Sequence, residues 1–289
     1  MNLNQLRTFY WVARLGGFRR ASDQLHLSQP AISTRIATLE DELQAPLFER
    51  GTTGLTLTKR GALLLTYVEQ MLFIEEEIKA RVASPEETEG LFRIGASETI
   101  AQSWLPDFLK TLSTTYPRVN IDLTVDISVN LRNSLLEQGL DLALLMGPVS
   151  EFSVENVDLP QFELAWFKAA GRGPVKLDEI PVISYSAKTR PHRELMADLS
   201  RTVGPDVRVY SSASLSASLR MIAAGVAVGP YPLVLAQEEV AAGRIEQFDP
   251  GFAPKPLDFT ASYLAEPRSF LAESAAGIAR KIAVSWRRE

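Results

Sequence analysis

The stretch that decides the fold runs from Phe18 to Arg50: FRRASDQLHLSQPAISTRIATLEDELQAPLFER. At 100° per residue, Ile32, Ile36, Leu39 and Leu43 fall within about 60° of one another, which gives a helix one inward face. The opposite face centres on Pro30, Thr34 and Thr38, with Gln29 and Ser33 on one shoulder and Arg35 on the other. That outward face is small and polar, so another surface can approach it closely. Ser28 is placed to cap this helix, its hydroxyl accepting an otherwise orphaned backbone N–H. Pro30 lies in the first turn, where its missing N–H removes no helical hydrogen bond. Upstream, His26-Leu27-Ser28 reads as a tight turn after a short helix at about Arg19 to Leu25. Farther upstream, Leu3, Leu6, Phe9, Tyr10, Val12 and Ala13 recur at helical spacing until Gly16-Gly17 ends the pattern. A short helix, a tight turn and a helix with a compact polar face suit insertion into the DNA major groove. There Gln bonds adenine bidentately, Ser and Thr reach several base edges, and Pro or a Thr methyl touches the thymine methyl.

Downstream, the alternation Leu55-Thr56-Leu57-Thr58 is strand-like, and Gly51 and Gly54 permit a turn before it. The spacing predicts a two-stranded wing with Arg50 and the Thr52-Thr53 hydroxyls near its tip, suited to phosphate or minor-groove contact. Taken as pattern alone, the segment also fits a three-helix bundle with a surface hairpin. The literal residues decide between the two. LSQPAIS (Leu27 to Ser33), Leu39-Glu40, PLFER (Pro46 to Arg50) and LTLTKRG (Leu55 to Gly61) resemble the N-terminal winged helix-turn-helix of LysR-type transcriptional regulators.

That resemblance implies base and phosphate contacts from Ser28, Gln29, Pro30, Ser33 and Thr34, with Arg50 and Thr52 on the wing. Arg35, off the outward face, completes the DNA-binding candidates by reaching a phosphate or an acidic neighbour. In the family a basic residue usually follows the serine of LSQPAIS; here that position is Thr34, which makes no bidentate guanine contact.

Charge is distributed accordingly. The chain has 289 residues and a formal net charge of −5, which taken alone argues against a nucleic-acid partner. Residues 1–60 nevertheless carry eight basic and five acidic side chains, a net +3, and the rest of the chain carries −8. A mildly basic head sits on an acidic body.

From Lys59 to about Ala83 there is no Pro, and Gly61 is the one Gly. Leu64, Val68, Met71, Ile78 and Val82 follow 4-3-7-4 spacing, an interrupted a/d seam with Glu75 in the missing slot. One long amphipathic helix is expected, with no nearby core for it to pack on. In the family this helix pairs with its twin, and a dimer would present two heads to two half-sites. SPEETEG, Ser84 to Gly90, reads as a polar hinge.

From Leu91 short apolar runs alternate with helical segments. LFRIGA, NIDLTV, LDLALLM, ELAWFKA, PVISYS, VRVYSS and GVAVGP read as strands. This alternation predicts parallel sheets with right-handed crossovers, in two halves at about 91–163 and 164–265 flanking a cleft. LDFTASYL (Leu257 to Leu264) and a last helix, Arg268 to Trp286, are expected to return to the first half. The layout resembles the periplasmic-binding-protein-like effector domain of the same family. The fold class is thus α/β overall: a winged helix-turn-helix at 1–58, a linker helix and hinge at 59–90, and a two-lobed effector domain at 91–289. The second lobe is placed at 164–265, and 266–289 is assigned to the first.

Ligands of open α/β sheets sit at strand C-terminal ends beside helix N-termini, which favour anions. The candidates there are Ser97, Glu98 and Thr99, Ser128 and Asn130, Ser186, Thr189 and Arg190, Ser212, Ala213 and Ser214, and Pro230-Tyr231. Each Ser is equally well a plain helix cap. Arg190 is a candidate carboxylate clamp, or simply a solvated residue before Pro191.

An enzyme on a doubly wound sheet is the alternative class. GxGxxG, GxxxxGK[ST] and GxSxG are all absent. His192 has no clear triad partner in sequence, and His26 falls in the DNA-binding turn. With no Cys and two His, neither thiol chemistry nor a metal site is expected, and no cofactor is implied. No apolar run is long enough to span a membrane, and the N-terminus does not read as a secretory signal, so the cytoplasm is expected. The resemblance therefore implies a transcription factor binding double-stranded promoter DNA. A small-molecule effector, a carboxylate or other anion, would modulate it. Dimers or tetramers and, for an activator, RNA polymerase would be its further partners.

Overall fold

The computed structural model describes residues 1–51, 54–82 and 88–286. The chain divides into two compact units, Met1–Pro85 with Glu266–Phe270, and Glu86–Ala265 with Leu271–Glu289.

The first unit opens with α1 (Leu3–Leu15), α2 (Phe18–Leu25) and α3 (Gln29–Leu43). Each boundary has a local cause. Asn2 and Gln5 form a reciprocal capping box at the start of α1, and Gly16 ends it with φ 64°. His26, at φ 52°, closes α2, and the Ser28 side chain accepts from Ala31 N to open α3. Leu6, Phe9, Val12, Ile32 and Leu39 are all at most 1% exposed and form one core with Ile36. At about 1.5–3 kcal/mol per buried side chain, this core is what holds three short helices together.

The wing follows as β1 (Phe48–Gly51) and β2 (Gly54–Leu57), antiparallel, with Phe48 opposite Leu57. Glu40 on α3 fixes its entry, accepting from Leu47 N at 2.6 Å and Phe48 N at 3.2 Å. Thr58 donates its hydroxyl to Pro46 O (2.8 Å) and accepts from Gly61 N (3.0 Å), joining the wing to α4 (Lys59–Val82).

Gly61 abuts the wing so closely that an added Cβ would lie 2.1 Å from the Leu47 carbonyl oxygen. Gly61→Ala should therefore cost about 2 kcal/mol net. Overpacking against backbone costs about 1–3 kcal/mol or more, and alanine's helix propensity returns at most about 1. Thermal unfolding followed by circular dichroism checks this, as a lowered melting temperature of the winged unit.

The linker helix corrects one expectation. Val68 is fully buried in the head core, with Leu64, Leu65 and Leu72 packed against it. The helix has a core to pack on because α1 presents one. Arg7 on α1 bonds both oxygens of Glu75 (2.9 and 2.8 Å), which explains a carboxylate in the apolar slot, and Arg14 pairs with Glu69. The exposed apolar stripe is instead Leu63, Tyr67, Met71, Ile74 and Ile78. Met71 and Ile78 keep their predicted outward place; Leu64 and Val68 do not, and the Val82 side chain lies outside the described residues.

The second unit contains β3 (Glu89–Ala96), α5 (Glu98–Ala101), α6 (Leu105–Thr115), β4 (Arg118–Val125), α7 (Ser128–Leu136), β5 (Leu142–Met146) and β6 (Val154–Phe162). It continues with β7 (Leu164–Ala169), β8 (Val182–Tyr185), α8 (Arg190–Thr202), β9 (Val209–Ser212), α9 (Leu215–Ala223) and β10 (Gly229–Pro232). It ends with α10 (Leu233–Ala241), β11 (Ile245–Gln247), β12 (Leu257–Leu264) and α11 (Phe270–Trp286).

One lobe is a five-stranded sheet in the order β4-β3-β5-β12-β6. β3 runs parallel to β4 and β5, whereas β12 is antiparallel to both β5 and β6. The all-parallel expectation is thus corrected, and β12 lies in the first lobe's sheet, so the second lobe ends before Leu257. Strand β6 escaped the sequence reading because it is a polar edge strand carrying Pro160. The ladder shifts register beside that proline, which has no N–H to donate. The other lobe pairs β10 and β11 antiparallel to β7, and β8 parallel to β9, with a parallel bridge from Val182 to Val228.

Candidate functional site

Two sites stand out, one in each unit. In the winged unit, Ser28, Gln29, Pro30, Ser33 and Thr34 are all exposed along the first turns of α3. Ile32, Ile36 and Leu39 point the other way into the core, so burial of one face fixes which side chains the other presents. Arg35 does not join that face: its guanidinium donates to Thr8 Oγ1 on α1 at 3.3 Å. Arg50 lies in β1 with its side chain, like the whole of Thr52, outside the described residues.

In the second unit a cleft of about 310 Å³ lies at the C-terminal ends of β3, β4, β8 and β9, where the sheet geometry places ligands. Of the predicted residues, Ser97, Glu98, Thr99, Ser128, Ser186, Thr189, Ser212, Ala213, Ser214 and Pro230 line it. Sequence reasoning missed Asp126, Ser184 and Ser218, and an apolar floor that includes Ile127, Met146, Ile183, Leu215 and Phe259. The hydroxyls were legible as turn residues after strands; the floor was not, because core and cleft residues look alike in sequence.

Three predicted residues stand off the cleft. Arg190 donates to Asp258 Oδ2 at 3.2 Å and is not among the lining residues. Asn130 donates to both oxygens of Asp126 at 3.0 Å and supports the lining indirectly. Tyr231 is 1% exposed and donates to Gln102 Oε1 at 3.4 Å.

Much of the hydroxyl rim is already committed. Ser128 Oγ accepts from Met146 N at 3.0 Å, and Ser212 Oγ donates to Ser214 O at 3.0 Å. Ser97 Oγ and Tyr185 Oη are buried with no hydrogen-bond partner, so each is available to a ligand. Burial pushes the Tyr185 phenol above its ordinary range, with Tyr231 adding to the effect. Burial, then the Glu98 charge, does the same for Tyr231. Both hydroxyls therefore stay protonated at neutral pH and act as donors. His192 Nδ1 lies 3.0 Å from Ser184 Oγ. Among the described residues no carboxylate bonds that imidazole, and no group of three or more acidic or histidine side chains could hold a metal ion.

A winged helix-turn-helix joined by a helix to a two-lobed cleft domain defines a class of DNA-binding regulators with an effector-binding domain. Comparison with known proteins places the chain within that class. Residues 3–62 match the profile described as bacterial regulatory helix-turn-helix protein, lysR family, and residues 85–280 match LysR substrate binding domain. The chain belongs to the LysR family of transcriptional regulators. It is 30% identical over 233 residues to the transcriptional regulator YofA of Bacillus velezensis, covering 80% of this chain and 81% of that one. It is 35% identical over 159 residues to CzcR of Bacillus thuringiensis, covering 55% of this chain and 54% of that one.

Solved structures share the fold at lower identity. LysG of Corynebacterium glutamicum with bound effector Arg matches with TM-score 0.65 and 19% identity over 99% of both chains. Full-length OxyR from Pseudomonas aeruginosa matches with TM-score 0.57 and 21% identity, over 98% of this chain and 99% of that one.

Proposed function

We propose that the chain is a sequence-specific transcription factor, not an enzyme, that reads operator DNA through α3 as a dimer. A small molecule in the interlobe cleft modulates it. The observation that carries the DNA-reading half is the exposed polar face of α3, Gln29 to Thr34, backed by a fully buried apolar face. Thr34 replaces a longer basic side chain there, so readout rests on Gln29 and Ser33 and on phosphate contacts from the wing.

The exposed stripe Leu63-Tyr67-Met71-Ile74-Ile78 supports dimerisation. Its 4-4-3-4 spacing is that of a helix-pairing seam, and it takes the place of the seam expected from Leu64 and Val68. Two effector domains per dimer then allow higher assembly. The cleft, with its hydroxyl rim and apolar floor, fits a compact molecule with one polar end. Binding shifts the lobes only if the two lobe arrangements differ in affinity for that molecule. The Ser184–His192 pair, lacking a carboxylate to orient the imidazole, does not support triad chemistry. With promoter DNA as its partner the protein would work in the cytoplasm, where an activator would meet RNA polymerase.

Gel shift on the DNA upstream of its own gene, across a salt series, tests this reading. Specific binding should outlast non-specific competitor and weaken linearly in log–log form with salt, since phosphate contacts release counterions. Binding with no sequence preference would overturn it.

A further inference from the structure

The strand ends of the cleft suggest an anion site, yet the chain's own carboxylate occupies it. Glu98, the first residue of α5 after β3, extends from the first lobe to the N-terminus of α9 in the second. There it accepts from Leu215 N, from Ser216 N at 3.2 Å, from Ser216 Oγ at 3.0 Å and from Ser214 Oγ at 3.3 Å. Gln102 Nε2 donates to the same Glu98 oxygen at 2.8 Å, and Tyr231, from the second lobe, bonds Gln102 in turn. Free N–H groups at a helix start are the feature that would hold a ligand carboxylate. Here they are bonded by a side chain tethered in place, which a free anion must displace against an effective concentration of about millimolar or more.

The remaining charge points the same way. Among the described residues lining the cleft, Glu98 and Asp126 are the charged ones, and none is Lys or Arg. Arg190, the cation expected to clamp a carboxylate, stands outside the lining and bonds Asp258 through one terminal guanidinium nitrogen, while its buried Nε has no partner. What the cleft does offer are the buried, unpartnered hydroxyls of Ser97 (8% exposed) and Tyr185 above an apolar floor.

We infer that Glu98 is a resident carboxylate that fills the anion cradle of α9, so that this cleft selects an uncharged or cationic effector and rejects a carboxylate. The inference rests on the cleft being the effector site, and it replaces the anionic effector expected from the strand-end geometry. Glu98 also bridges the two lobes, so a ligand reaches the cleft past a closed contact rather than closing it with its own charge.

The test compares 3-phenylpropionate with its neutral isostere 3-phenylpropionamide, by calorimetry on the full chain. Glu98→Ala and Glu98→Ser both vacate the cradle, and two variants guard against one failing to fold. Either should gain at least about tenfold in affinity for the carboxylate, equivalent to one charge-assisted hydrogen bond regained. The amide should change less than about threefold. Glu98→Gln, which keeps the cradle filled, should gain less than the vacating variants. If the folded vacating variants bind the carboxylate no better than the parent does, the assignment of Glu98 is overturned, whether or not the parent binds it. Gel shift of the same proteins keeps the two readings apart: loss of sequence preference in the parent overturns the regulator reading, and leaves the calorimetry to judge Glu98.

Discussion

Val68→Asp is expected to unfold the winged unit, whereas Ile74→Asp is expected to leave it folded but monomeric. The two positions lie on one helix, six residues apart, yet face different things. Val68 is 0% exposed within the core that α1, α3 and α4 share. Removing its apolar contact costs about 1.5–3 kcal/mol, and an unpaired buried carboxylate adds several more. That sum approaches the roughly 5–15 kcal/mol that holds a domain together.

Ile74 is 51% exposed in the stripe with Leu63, Tyr67, Met71 and Ile78. An aspartate there costs the isolated unit little. In a dimer it buries one unpaired carboxylate per copy, about 3–6 kcal/mol over both at the usual price of an unsatisfied polar group. The dimer dissociation constant should then rise by about 100-fold or more, and operator affinity should fall with it because one head serves only one half-site. Sedimentation equilibrium reads the second effect and thermal circular dichroism the first. A folded Val68→Asp variant, or a dimeric Ile74→Asp variant, would show that the two faces of α4 are assigned the wrong way round.

The same helix shows how far sequence alone reached. Its length and amphipathicity were plain from the absence of Pro and the apolar periodicity between Lys59 and Val82. The rotation of its two faces was not. A long helix with apolar residues on more than one side does not reveal which side meets its own domain until α1 is placed beside it. The salt link from Arg7 to Glu75 spans 68 residues, beyond any local pattern.

The head was legible because its signals are local. Caps at Asn2 and Ser28, left-handed residues at Gly16 and His26, and a period of 3.6 in α3 each act within one turn. In the effector domain the strand-end hydroxyls were found for the same reason. The direction of β12 and the polar edge strand β6 were not, since pairing partners about 100 residues apart decide them. Glu98 was visible as a residue after β3; its engagement with α9 depends on a contact across 117 residues. Arg190 shows the converse failure, a clamp by residue type whose guanidinium turns to Asp258, 68 residues along the chain and outside the cleft lining.

Gln29→Ala is the change expected to weaken operator recognition most without touching the fold. Gln29 is exposed at the first position of α3, whose cap is supplied by Ser28 rather than by Gln29 itself. Thermal stability should therefore change by less than about 0.5 kcal/mol, as for other surface substitutions. A lost bidentate base contact costs about 1–3 kcal/mol of discrimination, and a dimer loses it twice. Operator affinity should drop by about 30-fold or more, while non-specific binding through phosphates stays unchanged.

Selection of binding sites from a pool of randomised duplexes, at one fixed salt concentration, is the most direct measurement. The parent should enrich inverted half-sites spaced by about 10 base pairs or a multiple of it, and Gln29→Ala should lose preference at one position in each half-site while keeping the others. Recovery of no motif by the parent, or of an unchanged motif by Gln29→Ala, would contradict the claim that α3 reads the operator.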